Sequence, residues 1–352
     1  AEATSRYDTS TIAEQILFGR PAAEDPPPAV VLGGGERFLL PEGTPACGRR
    51  IHSDCAVHAD PVTGAGPSRE DGRNLVAEAE AAGWTVIRTR AEFDRVVRRV
   101  ARDDDYLPRL LGLFAADDLF NDVPEERLIE AGLVREQGNG RAGRLIHWGG
   151  PPASPGADPP TAREMTELAI TLLERRARLA GLPFLLVVEV ESTDNLANAN
   201  SGIGALRALA RADDVIAAAA EFATGRDDTL VLVAADSDAG GLQVAGPPPT
   251  QDDGRVSGLP GNPTDRKIDH QLFAVDGVEG RATAPFEALP DAAGHRSTFA
   301  IAWSGGVDVA GGILVRAAGL NSELLGTEYR GLLDNTQVYE LIHRTLFGDG
   351  GR

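Results

Sequence analysis

Short apolar runs alternate with longer amphipathic stretches along most of the chain. Val30–Leu32 is a short run that leads into three glycines, and Leu110–Ala115 is a continuous apolar run typical of a strand buried on both faces. Ala91–Arg102 instead carries its apolar residues at helical spacing. The pattern also predicts strands at Thr85–Thr89, Phe184–Glu191, Thr229–Ala235, Phe299–Trp303 and Gly312–Arg316, and helices at Arg73–Ala82, Thr161–Leu179, Gly202–Thr224 and Thr336–Phe347.

The alternation of strands and helices predicts an α/β fold. In such a fold helices cover both faces of a doubly wound, mostly parallel sheet. The interval 246–295 departs from the pattern because it is polar, rich in Gly, Pro and Asp, and has little periodicity. We therefore predict a core made of residues 1–245 and 296–352, interrupted by an insertion at 246–295.

Acidic residues follow two of the predicted strands. They are Glu189, Glu191 and Asp194 after the first strand, and Asp236 and Asp238 after the second. In doubly wound sheets, functional groups collect beyond the carboxyl ends of the strands. Carboxylates at neighbouring strand ends repel one another unless a cation or an arginine lies between them. The pattern therefore indicates a functional site in which a cation or an arginine lies among the carboxylates, with solvated loop acids as the alternative.

The composition is that of an acidic globular protein. The 352 residues include 34 basic and 53 acidic side chains, for a formal charge of −19. This charge argues against nucleic acid or an anionic membrane as a partner, because both bind basic surfaces. Only six histidines and two cysteines are present, so few nitrogen and sulfur ligands are available for zinc. If the protein is exported, we expect Cys47 and Cys55 to form a disulfide; a pair of free thiols is the alternative.

Two segments at the predicted strand ends resemble motifs of the alkaline phosphatase family. Residues 188–200 read Val-Glu-Val-Glu-Ser-Thr-Asp-Asn-Leu-Ala-Asn-Ala-Asn, similar to the family's Val-Glu, four residues, Asp, three residues, His and then Ala-Asn. Residues 230–242, with Ala-Asp-Ser before Gly-Gly, resemble the family's Thr-Ala-Asp-His strand end. Other stretches agree with the family as well, and all of the matches occur in the family's order along the chain; these stretches are residues 12–15, 31–35, 111–115, 164–166 and 333–336. The resemblance covers nearly the whole chain.

The resemblance implies a phosphomonoesterase that acts on small phosphate esters. The family uses a serine nucleophile, two zinc ions, a magnesium ion and an arginine that holds the phosphate. It implies that Glu189 is a magnesium ligand, that Asp194 and Asp236 belong to the two zinc sites, and that Arg6 binds the substrate. The interval 246–295 would correspond to the family's crown, which implies a homodimer or a contact with a complementing chain. It also implies a periplasmic or extracellular location.

Three histidines of the family pattern are replaced here by side chains that carry oxygen. Asn198, Ser237 and Ser304 occupy these positions. An all-oxygen site favours Mg²⁺ or Ca²⁺ over Zn²⁺, and the absence of any metal is the alternative. The expected metal ligands are Glu189, Asp194, Asn198, Asp236, Ser237 and Ser304.

The family's opening strand and its nucleophilic serine have no counterpart in this sequence. We expect a preceding segment or a complementing chain to supply them, so that the chain alone is inactive and its catalytic residue is unknown. Two hypotheses remain for the function: a phosphatase with an altered metal site, or a non-catalytic relative retained for binding or assembly. A third possibility is an acidic α/β domain whose carboxylates simply face solvent.

Overall fold

The computed structural model divides the chain into two compact units. The first comprises Ala1–Asn121 and Leu128–Val188, and the second comprises Asp122–Arg127 and Glu189–Arg352. The structure describes residues 3–5, 7–20, 26–48, 50–57, 66–117, 159–245, 275–276 and 286–348.

The first unit contains a three-stranded parallel sheet. Its central strand is β3, which pairs with β1 on one side and β2 on the other, and Leu111 lies opposite Val31 and Val86. The described elements are α1 (Thr9–Phe18), β1 (Val30–Gly33), a 3₁₀ turn (Glu36–Phe38), α2 (Leu75–Ala81), β2 (Trp84–Ile87), α3 (Arg90–Val100), β3 (Arg109–Leu113) and α4 (Ala162–Ala180). The sequence had predicted a strand or helix in each of these regions except for α1 and the 3₁₀ turn.

Side-chain caps fix where two of these helices begin. Thr89 accepts a hydrogen bond from the backbone of Glu92, whose carboxylate accepts one from the backbone of Thr89 in return. Thr161 and Glu164 form the same reciprocal arrangement at the start of α4. Each capping box satisfies two backbone N–H groups that a helix start leaves unpaired.

Strand β3 separates two apolar clusters. Leu111 and Leu113 pack with residues of α1 and α2, whereas Leu110 and Phe114 pack with residues of α3 and α4. This alternation follows from the two-residue period of a strand. Gly112 lies at the same strand, and a Cβ there would come within 2.7 Å of the Leu32 side chain and the Phe114 ring. Helices therefore cover both faces of the parallel sheet, and the predicted α/β class is confirmed.

A disulfide loop is fastened to this unit by a buried ion pair. Cys47 and Cys55 are joined by a disulfide. Arg88 and Glu36 are 3% and 1% exposed, with 2.9 Å between Arg88 Nε and Glu36 Oε1. Arg88 also donates a 2.6 Å hydrogen bond to the carbonyl oxygen of His52 inside the loop. A buried guanidinium of this kind is stable only because carboxylate and carbonyl oxygens surround it.

The described strands of the second unit pair in antiparallel fashion. β4 pairs with β11, β5 with β10, and β9 with β6, β7 and β8. The elements are α5 (Ser192–Asn198), α6 (Gly202–Ala223), β4 (Leu230–Val233), β5 (Asp238–Ala239), β6 (Gln243–Ala245), β7 (Val275–Asp276), β8 (Phe286–Glu287), β9 (Thr298–Ala302), β10 (Asp308–Val309), β11 (Arg316–Gly319), α7 (Leu324–Thr327) and α8 (Asn335–Phe347). Among the described helices, none is long and apolar enough to cross a membrane.

Two predicted strands are wrong in the structure. Phe184–Glu191 forms no strand, and Leu185 and Val187 are 57% and 80% exposed. An apolar run becomes a strand only where a neighbour accepts its hydrogen bonds, and the described sheets provide none for it. The other strand begins later than predicted, because its ladder with β4 starts at Arg316. The insertion predicted at 246–295 lies largely outside the described residues and stays a prediction.

Candidate functional site

The short helix α5 carries two of the predicted site residues one turn apart. The four-residue spacing places Asp194 and Asn198 on the same face. Asn198 Nδ2 donates a 3.0 Å hydrogen bond to Asp194 Oδ1 and a 2.8 Å hydrogen bond to Asp308 Oδ1. Asp308 begins β10, 110 residues away in the sequence. An amide therefore bridges two carboxylates, and we call Asp194, Asn198 and Asp308 the carboxylate–amide cluster.

The electrostatics of this cluster favour a proton or a cation. Burial is the largest of the effects that together raise the pKa of Asp194 to about 6, and the charge and hydrogen bond of Asp308 come next. Smaller contributions to this pKa come from the charges of Asp236 and Glu191. Two carboxyl groups so close together share a proton in mildly acidic solution. At neutral pH the proton is lost, and a cation would then relieve the repulsion.

Asn198 has one polar atom that the cluster leaves without a partner. Its Oδ1 is buried and accepts no hydrogen bond within the described part of the chain. Rotation of the amide by half a turn would exchange Oδ1 and Nδ2, so that an oxygen would face the carboxylates. That second orientation is unfavourable unless a cation lies among the three oxygens. The same side chain can thus serve the cluster with or without a metal.

A Gly-Gly turn brings the segment after β9 against α5. Gly240 and Gly241 have φ angles of 64° and 58°, in the left-handed region that suits glycine. A Cβ on Gly240 would collide with the carbonyl oxygen of Ala197, and one on Gly241 would lie 2.7 Å from Ser304. The backbone of Ser304 donates to the Gly240 carbonyl at 2.9 Å, and its hydroxyl donates to the Gly241 carbonyl at 3.2 Å. Ser304 is therefore fixed to the turn through its own hydrogen bonds.

The remaining predicted site residues are less closely associated with the cluster. Asp236 is exposed after β4, and its charge acts on Asp194. Glu189 and Ser237 make no hydrogen bond to the cluster among the described residues. Arg6 lies outside the described residues. Within the described ranges, no group of three or more His, Cys, Asp and Glu side chains has the arrangement of a metal site.

Asp308 is the site residue that the sequence analysis missed. The comparison with the family's third histidine led to Ser304, four residues earlier in the same glycine-rich segment. The rule that selected Asp236 also applies here, because Asp308 is an acidic residue shortly after a predicted strand. A search for every acid beyond a strand end would have included it.

Comparisons with known proteins agree with the order of motifs along the chain. The family model for alkaline phosphatase matches residues 5–340. Streptomycin-6-phosphate phosphatase of Streptomyces griseus is 28% identical over 254 residues, which are 67% of this chain and 49% of that protein. The crystal structure of Thermus thermophilus alkaline phosphatase superposes with a TM-score of 0.55 at 21% identity, covering 99% of this chain and 67% of that one.

A second solved structure, a mutant of TAB5 alkaline phosphatase with bound Mg, shares the fold as well. Its TM-score is 0.55 at 18% identity, and the match covers 98% of this chain and 66% of that one. TAB5 is an Antarctic bacterium. The chain thus spans about half the length of the Streptomyces relative, at 49%, and 66–67% of these two structures. Because the family model covers nearly the whole sequence, the chain belongs to the alkaline phosphatase family.

Proposed function

We propose that the chain is part of a phosphate-ester hydrolase with an oxygen-rich site for a divalent cation. The observation that carries the proposal is the carboxylate–amide cluster, where the pKa of Asp194 is raised to about 6 beside Asp308. Membership of the family and the phosphatase name of the Streptomyces relative support a small phosphate monoester as the substrate. Carboxylate and amide oxygens are ligands that Mg²⁺ and Ca²⁺ prefer and zinc does not.

The chain's own residues suit this role in different ways. A bound cation would polarise a phosphoryl oxygen and offset its developing charge. Asp194 and Asp308 would hold the cation, and Asn198 would add Oδ1 after rotation of its amide. The hydroxyl of Ser304 donates to a carbonyl, which leaves its oxygen lone pairs for a cation. From the sequence, we also propose Glu189, Asp236 and Ser237 as further ligands of the cation. We propose that Arg6 binds the phosphate group of the substrate.

We also propose where the protein is located and what it assembles with. The disulfide between Cys47 and Cys55 supports an oxidising compartment, and hence a periplasmic or extracellular location. The family supports a homodimer. We propose that the nucleophilic serine comes from a polypeptide segment or a complementing chain outside this sequence.

A non-catalytic role in binding or assembly is the second candidate, and one observation favours it. Asn198 Nδ2 already donates to both carboxylates, at 3.0 and 2.8 Å. These two hydrogen bonds partly offset the repulsion that a metal would otherwise relieve. On this view the replacement of imidazole by an amide has made the cluster independent of cations.

Cation binding can be tested on the chain itself. We expect thermal unfolding at pH 7.5 to shift upward with Mg²⁺ or Ca²⁺ and less with Zn²⁺, because a ligand held by the folded state stabilises it. A cation present at a hundred times its Kd should add about 2.7 kcal/mol to the free energy of unfolding. Asp194→Asn and Asp308→Asn should abolish the shift. Asp213→Asn, which removes an exposed carboxylate from α6, should retain it.

Hydrolysis then separates the two candidate functions. The complete protein, including any polypeptide that carries the nucleophilic serine, should hydrolyse p-nitrophenyl phosphate in the presence of the cation that stabilises the chain. Cation binding without hydrolysis above the background rate would favour the non-catalytic role. The absence of any cation effect on the unfolding of the chain would contradict the proposed metal site.

A further inference from the structure

An open depression in the first unit is lined by an unusual number of arginines. It has a volume of about 570 Å³ and lies along β2, α3 and the turn that follows α3. Its lining includes Val86, Ile87, Val96 and Tyr106, together with four arginines. We call these the arginine row: Arg95, Arg98, Arg99 and Arg102.

The spacing of the arginine row follows one face of the helix. Arg98 and Arg99 stand three and four residues after Arg95, which are the positions that share a helical face, and Arg102 lies in the turn after α3 ends at Val100. Like charges at this spacing repel one another and weaken a helix. The negative end of the helix dipole offsets part of this repulsion, because Arg98 and Arg99 lie in the last turn of α3. The row is nevertheless a costly arrangement for a purely structural role.

Most of the row has no acidic partner. Among the described residues, no carboxylate forms an ion pair with Arg98, Arg99 or Arg102. Arg95 approaches Glu92 at 3.7 Å, at the long end of an ion pair. The guanidinium of Arg99 lies 3.8 Å from the centre of the Tyr106 ring, which holds it in place without neutralising it.

The two acidic residues in the lining are engaged by the backbone. Glu92 Oε2 accepts hydrogen bonds from the backbone of Arg88 at 2.8 Å and of Thr89 at 3.0 Å. Asp103 Oδ1 accepts one from the backbone of Asp105 at 3.2 Å. Four guanidinium groups against two carboxylates leave this depression positive on a chain whose formal charge is −19.

We propose that this depression binds a small organic polyphosphate. Guanidinium groups form paired hydrogen bonds with phosphate oxygens, and several on one helix face match a ligand with more than one phosphate. Ile87 and Val96 are almost fully buried, but the partly exposed Val86 side chain and Tyr106 ring offer an apolar surface to the organic part of the ligand. The volume lies within the range of small-molecule sites. The proposal is independent of the proposed function, because the depression and the carboxylate–amide cluster share no residue.

Calorimetric titration of the chain with ATP tests the proposal. EDTA is included so that the nucleotide cannot bind through a metal, and adenosine and pyrophosphate serve as partial ligands. We expect saturable binding of one ATP per chain, weaker binding of pyrophosphate and none of adenosine. Arg98→Ala/Arg102→Ala should weaken ATP binding at least tenfold. Arg178→Ala, which removes an exposed arginine from the last turn of α4, should leave the affinity unchanged.

A lysine variant and a measurement of helix content test whether a loss of ATP affinity comes from the guanidinium groups themselves. Arg98→Lys/Arg102→Lys keeps the charge but loses the planar fork, so its affinity should fall between the alanine variant and the unmodified chain. Circular dichroism should show α3 intact in all variants, because the side chains removed are exposed. Unchanged ATP affinity in the alanine variant, or an equal loss in Arg178→Ala, would overturn the site. Pyrophosphate binding as tightly as ATP would overturn the role of the apolar lining.

Discussion

Two apolar runs in the first unit look alike in the sequence and have opposite surroundings in the structure. Leu110–Ala115 begins within β3, between β1 and β2, and its residues Leu111 and Leu113 are 1% and 2% exposed. Phe184–Val188 forms no strand, and Leu185 and Val187 are 57% and 80% exposed. An apolar run therefore indicates that both of its faces are suited to burial, while the residues that bury it are encoded elsewhere.

The exposed run keeps the character of a strand covered on both faces. It is continuously apolar and rich in leucine and valine, as are strands in the middle of parallel sheets. The first prediction tests whether the side chains of this run are exposed to water in solution.

Matched leucine truncations in the two runs should give the largest difference. Leu111→Ala should lower the free energy of unfolding by about 3 kcal/mol, because it removes buried methyl groups and leaves a cavity. Leu185→Ala should change it by less than about 0.5 kcal/mol, because the side chain is mostly in water. Urea unfolding of both variants measures the two values. Equal losses would show that the second run is covered in solution, and the contrast between the runs would be lost.

Removal of the disulfide should have the next largest effect on the free energy of unfolding. This effect should be independent of the exposed run Phe184–Val188. Cys47 and Cys55 are separated by 8 residues, and closing a loop of that size restricts the unfolded chain. Cys47→Ser/Cys55→Ser should therefore lower the free energy of unfolding by about 2–3 kcal/mol.

The Cys47→Ser/Cys55→Ser variant also provides a control for the comparison of the two apolar runs. Leu185→Ala should cost as little in the serine variant as in the parent, because independent sites contribute additively. Reduction of the parent with dithiothreitol should reproduce the loss seen in the serine variant. A serine variant as stable as the oxidised parent would show that the buried Arg88–Glu36 pair fastens the loop without help from the disulfide.

Apolar periodicity predicted much of the first unit. The strands β1, β2 and β3 are short apolar runs, and the helices α3 and α4 have a clear apolar period. The local pattern therefore indicates these elements, although β1 and β2 find their partner β3 elsewhere in the sequence. The strand predicted at Phe184–Glu191 failed because burial depends on distant neighbours. The helix α5 was missed because only two of its seven residues, Leu196 and Ala197, are apolar, which gives no helical period.

The candidate site was predicted only in part for a related reason. Asp194 and Asn198 lie one turn apart, so the sequence motif contains both. Asp308 reaches them from 110 residues away through a glycine-rich segment that carries no periodic signal. A local pattern can indicate each acidic residue as a candidate, but only the folded chain shows which of these residues lie close together.

Asp308→Asn should give the smallest effect, at the carboxylates that follow the exposed run. The change removes a like charge from beside Asp194, so the pKa of Asp194 should fall from about 6 toward the ordinary aspartate value. Carbon-detected NMR titration of the side-chain carboxyl groups measures it directly. Asp213→Asn in α6 is the matched control and should leave this pKa unchanged.

The sign of the accompanying stability change follows from proton linkage. The folded chain holds the Asp194 proton more tightly than the unfolded chain, so the contribution of Asp194 to stability falls as the pH rises from about 4 to 6. Asp308→Asn should reduce that fall, and urea unfolding at pH 4.5 and pH 7 should show the variant gaining stability over the parent at the higher pH. A pKa that stays near 6 in the variant would show that the charge of Asp308 does not raise it. Repulsion between the two carboxylates would then give no reason to expect a cation in the cluster.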